Sequence, residues 1–208
     1  MSTCSTPTVN VNPKPRHISI LTSRTTRYIS SIDSGRTTAE LDSHADTSAV
    51  GKGAYIAEDT GHTVTVHPFT TGLSSIKKVP IITAALAYDC PTTLITYVLF
   101  IHQALYIERL TSHLICPDQL RAYGVTVNEV PLARLKPSER KHTSRSIIAD
   151  GVHIPLRIHG VISYFEVRKP TQHEVETELD SVHVHLTNDT RTLGSIRRHP
   201  IQVGRCTS

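Results

Sequence analysis

At 208 residues the chain is long enough for one domain of ordinary size with room for tails. Apolar residues make up 38 %, Trp is absent, and Phe and Met are scarce, which points to a β-rich core of moderate size with poorly ordered ends. The net charge of +4 is spread out, its densest run (Arg197, Arg198, His199) has no interleaved aromatics, and no apolar run reaches the roughly 18 residues of a membrane span, so nucleic acid and membrane are not expected partners.

Residues 1 to about 38 are rich in Ser, Thr, Pro and Arg and read as a disordered leader with at most a stray strand at residues 16 to 21. The opening "MSTCSTPTVNVNPKP" lacks the apolar core of a signal peptide. Cys4, Cys90, Cys116 and Cys206 form no CxxC pair, which argues against a zinc ribbon or a thioredoxin-type site. The expectation is free thiols in a reducing, cytoplasmic setting.

Residues 39 to 135 hold the clearest patterning. Thr63, Val64, Thr65 and Val66 alternate as a strand. Residues 79 to 87 form an apolar run that begins as an edge strand, because Pro80 cannot donate to a ladder. Asp89, Cys90, Pro91, Thr92 and Thr93 signal a turn, and "LITYVLFI", residues 94 to 101, is a strongly β-branched and aromatic strand. Leu114 and Ile115 read as a short buried strand. Pro117 at the first helical position and Gly124 past the last bracket two helical turns, with Leu120 and Tyr123 on one face. Residues 136 to 146 are a basic linker around Pro137. Residues 147 to 208 read as a downstream segment with two strands around Gly160, then a charged tail without obvious periodicity.

The chemistry concentrates in "ELDSHADTSAVG", residues 40 to 51. Two carboxylates sharing a water cannot both ionise, so one takes a proton from the water while the other donates to the amide carbonyl. Such an acid must sit on a stiff turn between apolar strands, with a hydroxyl beside it. Leu41-Asp42-Ser43-His44-Ala45-Asp46-Thr47, followed by Ala49-Val50-Gly51, meets that demand. An ordinary polar turn or a helix N-cap uses the same residue types. Ile32-Asp33-Ser34-Gly35 is a competing triplet, but Arg36, Thr37 and Thr38 follow it where an apolar strand is wanted.

Together with "TYVLFIHQALY" and "LTSHLICPDQLRAYGVTV", about 70 residues downstream, the loop resembles the protease region of copia-type retrotransposon polyproteins and, more broadly, retropepsin-type aspartic proteases. The resemblance covers roughly residues 39 to 130. It implies an all-β, closed retropepsin-like barrel with one short C-terminal helix, flanked by poorly ordered tails. It also implies a homodimer in which each copy supplies one catalytic carboxylate, Asp42. Ser43, His44 and Ala45 would support the loop, and Asp46 and Thr47 would contact an extended peptide or polyprotein substrate. A flap over the site, at residues 80 to 97, would have its tip at Asp89, Cys90, Pro91 and Thr92. No cofactor is implied. The sequence departs from the pattern at His44, where the family has Gly, a residue used for strained or closely approached backbone; His tolerates positive φ better than most.

Three further patterns have blander readings. His183-Val184-His185, with His173, Glu174 or Glu178 nearby, suggests a metal site but follows no known ligand spacing. The many Ser and His allow a triad, yet no GxSxG elbow is present. Gly51-Lys52-Gly53 is only faintly like a phosphate loop and reads as a turn, and Cys116 reads as a small buried apolar residue. Beside the peptidase stand two other readings: a catalytically inactive retroelement remnant that dimerises or binds peptide, and an unrelated β-rich intracellular binding domain.

Overall fold

The computed structural model describes residues 35–67, 74–130 and 145–188. Among them lie twelve strands and two short helices. In chain order the elements are β1 (Arg36–Leu41), β2 (Ala49–Val50), β3 (Tyr55–Val66), β4 (Ile76–Asp89), β5 (Thr96–Tyr106), β6 (His113–Ile115), α1 (Pro117–Ala122) and β7 (Thr126–Asn128). Then follow β8 (Ser146–Ala149), β9 (Val152–Pro155), β10 (Arg157–His159), β11 (Ile162–Arg168), α2 (Gln172–Glu176) and β12 (Ser181–His185). The fold is strand-dominated, as expected. The leader expected to reach residue 38 instead gives way to β1 at Arg36; the competing Asp33 lies outside the described residues.

The main sheet runs β10-β11-β1-β6-β2-β5-β4-β3, with β12 added parallel to β5. A second sheet holds β7-β8-β9. β11 also meets β4 through one residue pair, Arg168 opposite Ala87. The expected strands at 63–66 and 79–87 are parts of the longer β3 and β4. Pro80 faces Thr63 of β3 just before pairing with β5 begins at Ile81, so its missing N–H falls where no second neighbour needs it.

The alternation of β4 and β5 explains the core. Ile82, Ala84, Leu86 and Tyr88 share one buried cluster with Leu99, Ile101 and Ala104. Between Ala84 and Ile82, Thr83 faces both His102 and Gln103, a bulge with Gln103 at φ 58° that restores the alternation beyond it. Each fully buried Leu or Ile here is worth about 1.5–3 kcal/mol. The same cluster includes Ile147, Ile154, Leu156, Phe165, Val167, Val184 and Leu186. The expected boundary at residue 135 is therefore corrected. β11 is the antiparallel neighbour of β1 from Arg36/Arg168 to Glu40/Tyr164, and the downstream segment completes the sheet rather than following it.

Two further differences concern turns and caps. "LITYVLFI" enters its strand only at Thr96, because Leu94 N–H bonds to Cys90 O and Cys90 N–H to Ile95 O, closing a turn with Leu94 at φ 59°. The tail is not aperiodic: Thr171 and Glu174 form a reciprocal capping box that starts α2. Glu174 also shares the Arg168 guanidinium with Asp89, Nη2 lying 2.6 Å from Glu174 and 3.0 Å from Asp89. Hydrogen bonds from Arg168 hold the Glu174 carboxyl down at about 2. No helix among the described residues is long and apolar enough to cross a membrane.

Because β8 to β12 supply core side chains and the partner of β1, a fragment of residues 35–130 should not fold. Its amide NMR spectrum is expected to collapse to the unfolded range, while a chain through residue 188 keeps dispersed signals. A dispersed spectrum from the fragment would restore an independent upstream core.

Candidate active-site loop

β6 lies between β1 and β2, parallel to the first and antiparallel to the second. The loop of residues 42–48 must therefore pass over the end of β6, and β6 holds it at both ends. Asp42 N–H donates to Ile115 O at 2.9 Å. Cys116 N–H donates to Ser48 Oγ at 3.0 Å. The two sequence blocks that carried the resemblance thus meet at the acid.

Within the loop, Asp42 Oδ1 accepts the His44 backbone N–H at 2.9 Å, and Ala45 N–H bonds to Asp42 O at 3.3 Å. This side-chain-to-backbone turn fixes the carboxylate against the loop. No hydrogen bond among the described residues falls on Oδ2. The Asp42 side chain is 13 % exposed, whereas His44 is 71 % exposed with Nδ1 3.8 Å from Asp42 Oδ1. His44 is not among the described residues with positive φ, so the imidazole where the family has Gly costs no left-handed backbone strain. Ser43 and Asp46 are exposed, while Ala45, Thr47 and Ser48 are buried.

Sequence reasoning missed what holds the loop from below. Gln119 reaches from α1 so that its Oε1 accepts Ser48 N–H at 2.9 Å and its Nε2 donates to His102 O at 3.3 Å. Cys116 is fully buried, as expected of a small apolar residue, but it also works as a polar group. Its thiol donates to Ala45 O at 2.9 Å and accepts Gln119 N–H at 3.3 Å, capping α1. Burial pushes that thiol above its ordinary value, so it stays protonated and able to donate. At the other end of α1, Gly124 (φ 94°) donates to Arg121 O and Val125 to Leu120 O, the expected glycine cap. Tyr123 occupies the cap itself and is exposed, apart from buried Leu120.

The turn expected to be the flap lies elsewhere. Asp89 is ion-paired with Arg36 at the start of β1 (3.7 Å), and Asp42 follows the end of that six-residue strand. Extended chain of that length spans about 20 Å. The far end of β5, at Leu105 and Tyr106, is what pairs with β2. Asp89, Cys90, Pro91 and Thr92 therefore sit a strand's length from the loop. Cys90 is buried there, and hydrogen bonds from Thr93 draw its thiol below the ordinary value. A cavity of about 100 Å³ opens at this turn, lined by Arg36, Tyr88, Asp89, Arg157 and Phe165 among others.

The remaining patterns do not assemble into chemistry. His183 and His185 flank Phe100, each 5.1 Å from its ring; His185 Nδ1 is 2.9 Å from His102 Nε2, and His183 Nε2 bonds to Glu174 O. No group of three metal-ligating side chains occurs among the described residues. Gly51-Lys52-Gly53 is a turn packed closely at its first glycine: a Cβ on Gly51 would lie 2.1 Å from Leu110 O. Compared with known proteins, the chain matches no family model, no curated protein and no solved structure.

Replacing Gln119 by Leu leaves Ser48 N–H without its side-chain partner, while His102 O keeps the Thr187 hydroxyl at 3.0 Å. Stability is expected to fall by about 1–3 kcal/mol in urea unfolding, with faster amide exchange at Ser48. Unchanged exchange at Ser48 would remove Gln119 as the brace.

Proposed function

We propose that the chain is an aspartic endopeptidase of the retropepsin-like type from a retroelement polyprotein, whose active site forms when two copies bring their Asp42 loops together. The observation that carries this reading is the bond from Asp42 N–H to Ile115 O. It joins an acid-bearing turn to the strand-and-helix block at which the resemblance is most specific. A closed barrel is part of the proposal, and the contact of β11 with both β1 and β4 supports it.

The chemistry follows from one acid per copy. A single carboxylate cannot both activate water and protonate the amide carbonyl. Two placed together share one proton, and that asymmetry supplies the base and the acid at once. The tether of Oδ1 to His44 N–H orients each carboxylate and leaves Oδ2 for the shared water. Ser43 and Asp46, exposed beside it, are available to a second copy and to the backbone of an extended peptide.

The surface beside the loop favours a second copy. β11 runs antiparallel to β1 with Tyr164 opposite Glu40, so the β10–β11 hairpin continues past the end of β1 on the Asp42 side. Its turn exposes Val161 (96 %), and Ile158 on β10 is half exposed. Apolar side chains in that position are the kind of surface a symmetric contact covers.

A second reading, an inactive remnant that keeps only dimerisation or peptide binding, draws on His44. Its exposed ring stands beside the carboxylate where an incoming substrate must pass. Cleavage of an unstructured protein substrate at mildly acidic pH separates the two. The peptidase reading expects pepstatin-sensitive turnover that falls by at least about a thousandfold in Asp42→Asn, with sedimentation reporting a dimer for both proteins. A dimer without turnover leaves the remnant, and a strict monomer removes the proposal.

A further inference from the structure

His113 is the first residue of β6 and is 1 % exposed. Its Nδ1 accepts the Gly51 backbone N–H at 3.3 Å, which fixes the neutral tautomer with hydrogen on Nε2. That Nε2 is buried with no hydrogen-bond partner. Gly53 packs beside that nitrogen: a Cβ there would stand 3.3 Å from Nε2 and 3.2 Å from Thr37 Cγ2. The turn is closely packed at Gly51 as well, where an added Cβ would lie 2.1 Å from Leu110 O.

We propose that His113 is a neutral latch whose protonation releases the Gly51-Lys52-Gly53 turn, and with it strand β2 behind the Asp42 loop. A proton on Nδ1 removes the acceptor that Gly51 N–H uses and sets donor against donor. It also leaves a charge with no counter-ion in a site closed to water. The ring relieves both by swinging out to solvent, and the turn then loses the Gly51 N–H bond and the packing of Gly53 on the ring. The ionisable groups on the elements around it are Arg36 and Glu40 of β1, Lys52 of the turn, and Glu108 and Arg109 ahead of β6. None of them offsets the effect: burial alone pushes the ring to about 4.

The sign follows from linkage. The folded chain resists a proton that the unfolded chain accepts near 6.5, so the stability is intact above that pH and is lost as pH falls toward 4. The latch itself does not depend on the peptidase reading; its consequence for turnover, an acid edge to the activity, does.

The test compares urea unfolding of the full chain and of His113→Asn at pH 7 and pH 4. Asn offers an oxygen near the position of Nδ1 but does not titrate. The unfolding constant of the parent chain is expected to rise about a hundredfold more than that of the variant over this range. Equal rises overturn the latch. If the variant does not fold, ¹⁵N NMR of the parent chain decides. The Nε2–H tautomer at pH 7, with no protonation above pH 5, upholds the latch, and a charging midpoint near 6.5 overturns it. Absence of peptide cleavage at every pH counts against the peptidase reading only, because neither measurement uses turnover.

Discussion

The region around Asp42 depends on where a three-residue strand lies. β6 sits between β1 and β2, so a loop joining those two strands has to cross its end. The crossing would strand buried backbone groups if β6 and α1 did not meet them, and a lost partner there costs about 1–3 kcal/mol. Ile115 O, the Cys116 thiol and the Gln119 amide each take one, and Cys116 N–H donates to the Ser48 hydroxyl. The loop is consequently fixed from below by groups that come from one stretch of chain. Its upper side, with Ser43, His44 and Asp46, is left to the surface. That division suits the proposed site, in which a second copy completes the loop.

A second constraint ties the far end of the molecule together. Arg168, at the end of β11, spreads its guanidinium over Asp89 at the end of β4 and Glu174 in α2. Planar bidentate geometry makes this one of the stronger kinds of ion pair, although partial exposure moderates it. Burial pushes the Asp89 carboxyl up, but the bonds from Arg168 and Thr96 outweigh it and leave it lowered. The turn at Asp89 is therefore bound into the sheet by charge, which suits a structural hinge between β4 and β5 better than a cover that opens.

Much of the local structure was legible because its causes are local. Pro117 and Gly124 bracketed α1, and the apolar run around Leu99 and Ile101 marked the core of β5. The turn at Asp42 was legible because Asp and Ser ahead of an apolar strand are turn-forming residues. What was not legible has its causes across the fold. Nothing near Arg36 announces that its strand pairs with residues ending at Arg168, so the downstream segment read as an appendage. Asp150-Gly151, both at positive φ between paired Ala149 and Val152, is a hairpin turn with a readable signature that went unread. Thr171-x-x-Glu174 is another. Leu94 misled for the opposite reason: it opens a β-branched and aromatic run, but the turn it closes puts it in a left-handed, 88 % exposed position. Cys116 was read by type as apolar packing, and only the geometry of α1 reveals the thiol as a cap.

Acid acts on the two halves of this construction in separate windows, and the difference bears on the proposed chemistry. Glu174 keeps its proton off down to about 2, against an ordinary 4.5, so the Arg168 fork keeps its full strength above pH 4.5 and weakens only below it. His113 responds earlier, between 6.5 and about 4, and it does so beside the Asp42 loop rather than at the far end. A pair of carboxylates sharing one proton needs mild acid to carry that proton. The sheet as a whole, held by Arg168 and by the apolar faces of β4 and β5, outlasts the turn. Loss of order on acidification should accordingly begin at the Gly51-Lys52-Gly53 turn while the β4–β11 end remains paired. The acid edge of this fold is thus set by a buried imidazole rather than by the exposed side chains of the loop.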